Sequence, residues 1–435
     1  GKSSEVLIKY LLDLCHDENW ALKVVAKDFA ELNQQDAPFV EYYTCDVFVD
    51  ERVNTWVELS DLVISMLPAR MHMGIAKKCL LYQKHFLSAS YVSKEMKLLH
   101  EEVQSKGLIF LNECGLDPGL DHMSAMKVIE EIKGEGGVIE GFESFAGGLI
   151  APDSDDNPWN YKLTWNPRNV VLSGQGGVAK FKQNSTFKYI PYQQLFQRTE
   201  RISIAGYGKF EGYANRDSLK YEKLYKLKDV GTLFRGTLRR ERFCKAWSKL
   251  VLLGMTDDSY VIDIPDNMTY RDFTNLFLNY HISDSVEVKF QRTLSIAQDD
   301  FDIMEKMNFL GLFSDEKIEM KSGTPAQILQ YLLENKWKLG VDDRDMIVML
   351  HKFNYTIKGV KKKIQSSLVL EGKSQSTTAM ARTVGLPLGI ASKLILTGKV
   401  NKRGVLIPID KEFYEPILSE LYSEFGVKFI EKEIN

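Results

Sequence analysis

The sequence has few cysteines and histidines, and they are not arranged to hold a metal. The cysteines are widely spaced, odd in number and without a CxxC pair: Cys15, Cys45, Cys79, Cys114 and Cys244. The 7 histidines form no HxH or HExxH spacing. These shortages exclude a disulfide framework and a zinc motif, so no metal is predicted, and they favour a reducing compartment such as the cytoplasm.

The sequence also lacks an excess of either charge and any long apolar run. It has 56 basic and 59 acidic residues, and its longest basic runs are Arg239-Arg240 with Arg242, and Lys361-Lys362-Lys363. Nucleic acid is therefore not an expected partner. No uninterrupted apolar stretch reaches the roughly 18 residues of a membrane helix, and the first residues show no secretory signal pattern. We therefore expect no membrane partner.

The composition is that of a folded protein with more than one core. The chain has 435 residues, of which 44% are hydrophobic and 26% charged. A chain of this length exceeds one core of ordinary size, so two or three packed units are expected.

Strands and helices alternate over the first part of the sequence. Serines at Ser3 and Ser4 precede an apolar pattern of helical period, which predicts a helix that begins there. Strands are predicted at residues 21–26, 42–44, 62–67, 85–89 and 108–112, with helices at 71–81 and 94–105. This alternation is typical of a doubly wound parallel sheet of the Rossmann type.

The pattern changes after Gly136. Alternating runs such as residues 139–145 suggest an antiparallel sheet. Between residues 240 and 339 the apolar spacing is helical, which indicates an inserted helical unit. Strands return at 346–349 and 364–370, and a helix is predicted from about Thr377 to Leu396, interrupted near Gly385-Leu386-Pro387.

The N-terminal residues match half of a dinucleotide-binding turn. Gly1 fits the second glycine of a GxGxxG turn, with Ser4 at the third, but the preceding strand lies outside this sequence. Alternatively, these residues are only the start of an ordinary helix.

Asp28 ends a predicted strand near the roughly 20-residue spacing at which an acid binds the adenosine ribose. A carboxylate there favours NAD over NADP, although Lys27 beside it would weaken the repulsion of a 2′-phosphate. Alternatively, Asp28 is an ordinary acidic residue that faces solvent at the end of a strand.

Three strand ends carry residues that are unusual for a strand end. They are Leu67-Pro68, Ser88-Ala89-Ser90-Tyr91, and the run Asn112-Glu113-Cys114-Gly115-Leu116-Asp117-Pro118-Gly119-Leu120-Asp121-His122. Ligands of open α/β sheets bind outside the carboxyl ends of the strands. Asp117-Pro118-Gly119 alone is a plain turn sequence, but the longer run places an acid, glycines and a histidine where a helix begins.

The last run closely resembles the ExGLDPGxDH segment of the saccharopine dehydrogenases. Further segments continue the resemblance in order along the chain: residues 61–68 (DLVISMLP), 89–93 (ASYVS), 146–152 (AGGLIAP), 157–158 with 161–162, 213–218 (YANRDS), 235–239 (RGTLR), 345–349 (DMIVM) and 383–387 (TVGLP). Ordered matches from end to end are hard to obtain by chance.

The resemblance implies an α/β fold in three parts. A Rossmann-like dinucleotide domain is expected at residues 1–121, with its first strand missing from the given sequence. A mixed or antiparallel α+β domain for substrate binding and dimerisation follows at 122–240 and 340–375, with a helical insert at 241–339, and residues 376–435 return to the first domain. A homodimer is implied.

The resemblance also implies the reaction and its residues. Saccharopine is oxidised by NAD or NADP to an imine, which water splits into glutamate and 2-aminoadipate 6-semialdehyde; the direction stays open. Asp117 and Tyr91 are the expected catalytic residues, and Ser90, Tyr91, Asp117, Arg216, Thr237, Leu238 and Arg239 the expected substrate-binding residues. The expected cofactor-binding residues are Gly1, Lys2, Ser3, Asp28, Asp46, Val47, Leu67, Pro68, Gly115, Leu116 and Asn166.

Several alternatives stay open at this point. Asp117 either moves protons or only orients the substrate amine. His122 is expected to be structural, and Ala146 stands where the family often has a cysteine, which excludes a thiol mechanism there. Two other functions are possible: an imine reductase resembling carboxynorspermidine dehydrogenase, against which both arginine motifs argue, and a ligand-sensing relative without turnover.

Overall fold

The computed structural model describes residues 3–29, 34 and 37–434. The helices are α1 (Ser4–Glu18), α2 (Arg52–Glu58), α3 (His72–Leu81), α4 (Lys94–Leu98), α5 (His100–Ser105), α6 (Leu120–Gly134), α7 (Pro167–Val171), α8 (Tyr221–Leu224), α9 (Phe243–Leu253), α10 (Tyr270–Asn275), α11 (Val286–Thr293), α12 (Phe301–Leu310), α13 (Pro325–Lys336), α14 (Ala379–Leu396) and α15 (Lys411–Ser423).

The strands are β1 (Leu22–Ala26), β2 (Val40–Thr44), β3 (Leu62–Ser65), β4 (His85–Ser88), β5 (Ile109–Leu111), β6 (Val138–Ile150), β7 (Ala179–Gln183), β8 (Thr186–Ile190), β9 (Thr199–Ile204), β10 (Gly208–Ala214), β11 (Thr232–Arg240), β12 (Ile262–Asp263), β13 (Ser322–Gly323), β14 (Asp345–Ile357), β15 (Val360–Glu371), β16 (Gly404–Leu406) and β17 (Ile430–Ile434).

The chain divides into two compact units. The first unit comprises the described residues of Gly1–Glu140, Lys223–Leu227 and Met349–Asn435, and the second comprises Gly141–Glu222 and Lys228–Val348. The residues of the expected helical insert lie within the second unit. The three-part division expected from the sequence stays a prediction.

The first unit contains the parallel strands predicted from the alternating pattern. β1 pairs with β2 in parallel, and a four-stranded parallel sheet has the order β16-β5-β4-β3. Phe86 of β4 lies opposite Phe110 of β5, and both are fully buried. Strands covered on both faces are built from continuous apolar runs, which is why the sequence pattern identified them.

Helix α14 packs closely against α1 in the first unit. A Cβ at Gly385 would lie 2.9 Å from the backbone nitrogen of Leu7, and one at Gly389 would lie 2.4 Å from the ring of Tyr10. The interruption predicted near Gly385-Leu386-Pro387 is wrong, because the helix continues through Pro387. Burial of the whole segment outweighs the roughly 3 kcal/mol that an internal proline typically costs.

Among the described residues, α14 is also the one helix that is long and apolar enough to cross a membrane. However, 83% of its apolar window is buried inside the protein. A helix that is apolar on all sides is equally typical of the core of a large protein.

The second unit contains a mixed sheet. β11 pairs in parallel with β6, and antiparallel with β10 and β7; β10 pairs in turn with β9, and β7 with β8. The predicted antiparallel pattern therefore holds for all of these pairs except β6 with β11. β12 and β13 and the helices α9 to α13 belong to the same unit. The observed fold confirms the expected class, a parallel α/β sheet with a mixed α+β part.

Candidate functional site

Two of the predicted site residues contact each other at the carboxyl ends of neighbouring parallel strands. Tyr91 follows β4 and Asp117 follows β5, and the hydroxyl of Tyr91 donates a hydrogen bond of 2.8 Å to Oδ1 of Asp117. Both residues are half-buried. The structure thus joins a carboxylate and a phenol at the edge of the sheet where ligands of such folds bind.

The turn that carries Asp117 is closed by its own backbone. The N–H of Gly115 donates to the carbonyl of Pro118 (3.0 Å), and the N–H of Leu120 donates to the carbonyl of Gly115 (2.8 Å). Gly119 has φ +148°, and a Cβ there would lie 2.1 Å from the carbonyl oxygen of Gly115. Only glycine fits this position. Asp117 is therefore held by a turn whose geometry its neighbours determine.

Ser90 belongs to a second hydrogen-bonded chain, which the sequence did not reveal. Nε2 of His72 lies 2.8 Å from Oγ of Ser90, and Nδ1 of His72 lies 2.8 Å from Oγ of Ser65. Burial lowers the pKa of His72 below its ordinary value, which favours the neutral ring. No local motif marks His72, because its partner Ser65 ends β3 and its partner Ser90 follows β4.

The remaining predicted cofactor residues of the first unit lie at strand ends or in the turn. Asp28 and Asp46 are exposed and follow β1 and β2, and Oδ1 of Asp46 accepts from the N–H of Phe48 (3.0 Å). Val47, Leu67 and Pro68 are half-buried or exposed, whereas Gly115 and Leu116 are buried. Ser3 precedes α1, but its side chain makes no capping bond. Gly1 and Lys2 lie outside the described residues.

Asn166, the remaining predicted cofactor residue, lies in the second unit. Its side chain caps α7 by accepting from the N–H of Asn169 at 3.3 Å. Asn166 is exposed. The structure therefore gives it a helix-capping contact, and its cofactor role stays a prediction.

Arg239 of β11 occupies an aromatic cage in the second unit. Its guanidinium carbon lies 5.1 Å from the ring centroid of Tyr161, 5.4 Å from that of Phe243 and 5.8 Å from that of Tyr213. The residue is 3% exposed, and Nη1 donates to the carbonyl of Leu238 at 2.9 Å. Within the described part of the chain, Nε of Arg239 and the hydroxyl of Tyr161 have no hydrogen-bond partner.

No acidic side chain neutralises Arg239 among the residues that the structure describes. Aromatic faces attract a cation and contribute about 0.5–2 kcal/mol. Withdrawing a full charge from water typically costs several kcal/mol. The cage therefore leaves a buried positive charge that a carboxylate would stabilise.

The other predicted substrate residues of the second unit adjoin the same strands. Arg216 is exposed and has φ +52°, and its carbonyl accepts from the N–H of Lys180 (2.8 Å). Thr237 is half-buried and lies opposite Ala146 of β6 in the strand register. Leu238 is fully buried, and a Cβ at Gly147 would lie 2.8 Å from its carbonyl oxygen. Thr237, Leu238 and Arg239 thus share one strand.

Comparison with known proteins gives consistent results. Residues 115–427 match the saccharopine dehydrogenase C-terminal domain family. The chain is 31% identical over 397 residues to saccharopine dehydrogenase [NADP(+), L-glutamate-forming] of Pyricularia oryzae, with 89% of this chain and 88% of that protein covered. It is 32% identical over 415 residues to the alpha-aminoadipic semialdehyde synthase of Arabidopsis thaliana, covering 90% of this chain but spanning only 38% of that relative.

A solved structure agrees with these relatives. The apo saccharopine dehydrogenase (L-Glu forming) of Saccharomyces cerevisiae superposes with a TM-score of 0.88 at 29% identity, covering 100% of this chain and 98% of that one. The match extends over both compact units, and it agrees with the order of the sequence motifs. The chain therefore belongs to the saccharopine dehydrogenase family.

Proposed function

We propose that this chain is an NAD(P)-dependent oxidoreductase that interconverts saccharopine with L-glutamate and 2-aminoadipate 6-semialdehyde in lysine metabolism. The observation that carries the proposal is the guanidinium of Arg239, which is buried and has no acidic side chain beside it among the residues that the structure describes. Saccharopine is a triacid, so it supplies the carboxylate that the aromatic cage lacks. A bidentate contact of this kind contributes about 1.5–3 kcal/mol, which favours a triacid over a less acidic amine.

The residues of the first unit fit a nicotinamide dinucleotide. Asp28 follows β1 where its carboxylate would accept a hydrogen bond from a ribose hydroxyl, and Leu67 and Pro68 follow β3 at the corresponding position. Helix α1 begins at Ser4, and the N-terminus of a helix attracts the phosphates of a dinucleotide. When bound, the dinucleotide supplies the hydride chemistry. Asp28 favours NAD, while relatives are named for NADP(+), so the choice between them is tested below.

Tyr91 and Asp117 act on the substrate amine in this proposal. The carboxylate of Asp117 accepts a hydrogen bond of 2.8 Å from the hydroxyl of Tyr91 and thereby fixes the direction of that O–H group. Imine formation and hydrolysis require proton movement at the substrate nitrogen and at water, which such a pair assists. Asp117 either exchanges these protons itself or fixes the amine for water to do so, and the two roles predict different kinetics.

We also propose a homodimer in the cytoplasm. All five cysteines are buried and free, as a reducing compartment allows. Light scattering after gel filtration tests the dimer, for which we expect about twice the chain mass of 49.8 kDa.

The decisive experiment is to measure whether the purified chain catalyses the reduction of NAD or NADP by saccharopine, with glutamate measured as product. We expect turnover with saccharopine and at least about tenfold lower kcat/KM with carboxynorspermidine, because one carboxylate contact contributes about 1.5–3 kcal/mol. Equal use of both substrates would favour the broader imine reductase. Absence of turnover with either dinucleotide would favour a ligand-sensing relative.

A further inference from the structure

A continuous chain of buried and half-buried hydrogen bonds begins next to Tyr91 in the first unit. The N–H of Val92 donates to Oε1 of Glu113 (3.0 Å), and Oε2 of Glu113 lies 2.8 Å from Nε2 of His122. Nδ1 of His122 lies 2.5 Å from the hydroxyl of Tyr225. Glu113, His122 and Tyr225 are all buried. The chain begins beside Tyr91 and ends more than 100 positions further along the sequence.

Glu113 is held in an unusual conformation that brings its side chain to the Tyr91 segment. Its φ is +56°, which a non-glycine residue rarely adopts. Its backbone N–H donates to the carbonyl of Ser90 at 3.0 Å, while its carboxylate binds the N–H of Val92. Glu113 therefore fixes the backbone on both sides of Tyr91. Strained residues of this kind persist where the surrounding contacts determine them.

Tyr225 comes from an excursion of the chain. Residues Lys223–Leu227 belong to the first unit, although the segments before and after them belong to the second. The excursion is anchored twice, since Nζ of Lys133 donates to the carbonyl of Lys226 at 2.6 Å and Tyr225 bonds His122. It follows shortly after the Asn215–Ser218 segment, which carries Arg216.

Nε2 of His122 and the carboxylate of Glu113 form a hydrogen bond of 2.8 Å. Nδ1 bonds the hydroxyl of Tyr225 and lies 3.6 Å from Oδ2 of Asp121, and the contacts on both nitrogens fix the ring plane. Burial of all three side chains makes each of these bonds costly to break. The three groups behave as one rigid support.

We propose that Glu113, His122 and Tyr225 are positioning residues, which hold the Ser90–Val92 backbone so that the Tyr91 hydroxyl stays on Asp117. The support ties the position of Tyr91 to the anchored excursion that follows the Arg216 segment. It does not touch the reacting atoms. The inference rests on the proposed function for its kinetic consequence, but not for its structural one.

The structural consequence is tested by amide hydrogen exchange in peptides that cover residues 88–96. Tyr225→Phe removes one hydroxyl and keeps the ring, and we expect exchange at Val92 to become about fivefold faster, as expected for the loss of roughly 1 kcal/mol of support. Tyr414→Phe is the matched control, because it removes another buried tyrosine hydroxyl of the first unit, bonded to Glu130. Equal exchange in the two variants overturns the proposal.

The kinetic consequence is tested with saccharopine in a double-mutant cycle. We expect Tyr225→Phe to lower kcat about tenfold, within the roughly 10²-fold that a misplacement of 1 Å can produce, with dinucleotide binding unchanged. In a Tyr91→Phe background the same change should have no further effect. Additive effects, or a kcat equal to that of Tyr414→Phe, contradict the proposal.

The two arms also separate this inference from the proposed function. If the wild-type chain does not use saccharopine, the proposed function fails, while the exchange measurement still decides whether the support exists. If Tyr225→Phe does not fold, Glu113→Gln replaces it, since glutamine keeps the shape but presents a neutral group to His122. Unchanged exchange at Val92 in Glu113→Gln would then overturn the proposal.

Discussion

The two units treat their polar site residues in opposite ways. In the first unit Tyr91 and Asp117 are joined to each other, and the turn and strand ends around them are hydrogen-bonded by the protein itself. In the second unit Arg239 is buried among aromatic rings without an acidic partner in the described chain. In the proposed function, this difference separates two roles: the groups proposed to act on the substrate amine are oriented in advance, whereas the group proposed to bind a carboxylate keeps its charge for that ligand.

The largest effect is expected from breaking the oriented pair. Asp117→Asn keeps the size of the side chain and an oxygen that accepts from Tyr91, but it removes the charge. If Asp117 exchanges protons, kcat should fall roughly 10²–10⁴-fold and one limb of the pH–rate profile should disappear. If Asp117 only orients the amine, the loss should appear mainly in KM, with both limbs retained.

The control for this variant is dinucleotide binding, because an aspartate before proline also shapes the turn. A folded Asp117→Asn protein that binds dinucleotide and turns over saccharopine with unchanged kcat and KM would remove Asp117 from the site.

The next effect comes from removing the unpaired charge. Arg239→Ala, and the shape-matched Arg239→Met, should raise KM for saccharopine about 10- to 100-fold, since a charge-assisted pair contributes roughly 1.5–3 kcal/mol. Arg216→Ala should act in the same direction. Dinucleotide binding should be nearly intact in all three. Arg201→Ala is the control, because Arg201 is an exposed arginine of β9 in the same sheet.

This prediction fails if the Arg239 and Arg216 variants have the saccharopine KM of the wild type. A loss of thermal stability alone would instead assign Arg239 to the core.

A smaller effect concerns the dinucleotide. Because Asp28 rather than an arginine follows β1, we expect kcat/KM to be roughly fivefold higher with NAD than with NADP, since a carboxylate repels a nearby 2′-phosphate even when both are solvated. Asp28→Asn should reduce this preference. The relatives named for NADP(+) make the comparison informative, and a clear NADP preference of the wild type would contradict the prediction.

The smallest effect is a pH dependence of stability through His72. Burial lowers its pKa below 6.5, so the folded protein binds the proton less readily than the unfolded chain does. The stability contributed by neutral His72 is therefore present above pH 6.5 and is lost as pH falls through the folded value. His72→Gln should give a Tm that falls less steeply with acidification. Burial also lowers the pKa of His85, but His85 is present in both proteins, so its contribution cancels when their Tm values are compared.

If Tm decreases equally steeply with falling pH in the wild type and in His72→Gln, His72 does not titrate in this way. Melting curves recorded between pH 7.5 and 5 provide the comparison.

The sequence by itself determined strands β1 to β5 of the first unit and named Tyr91 and Asp117. The parallel strands were readable because burial on both faces requires continuous apolar runs, and the helix after β5 because its turn residues are consecutive. Tyr91 and Asp117 were named from local motifs, and their hydrogen bond agrees with the strand ends on which those motifs stand. Such features depend on neighbours in the chain.

Only the tertiary structure decided the contacts between residues that are distant in the sequence. It places Gly385 against Leu7, which explains why α14 continues through Pro387 where the local signal predicted a break. It surrounds Arg239 with Tyr161 and Phe243, joins His72 to Ser90, and brings Tyr225 to His122. Each of these contacts depends on packing and burial that no local pattern encodes, because the partners come together only when the chain has folded.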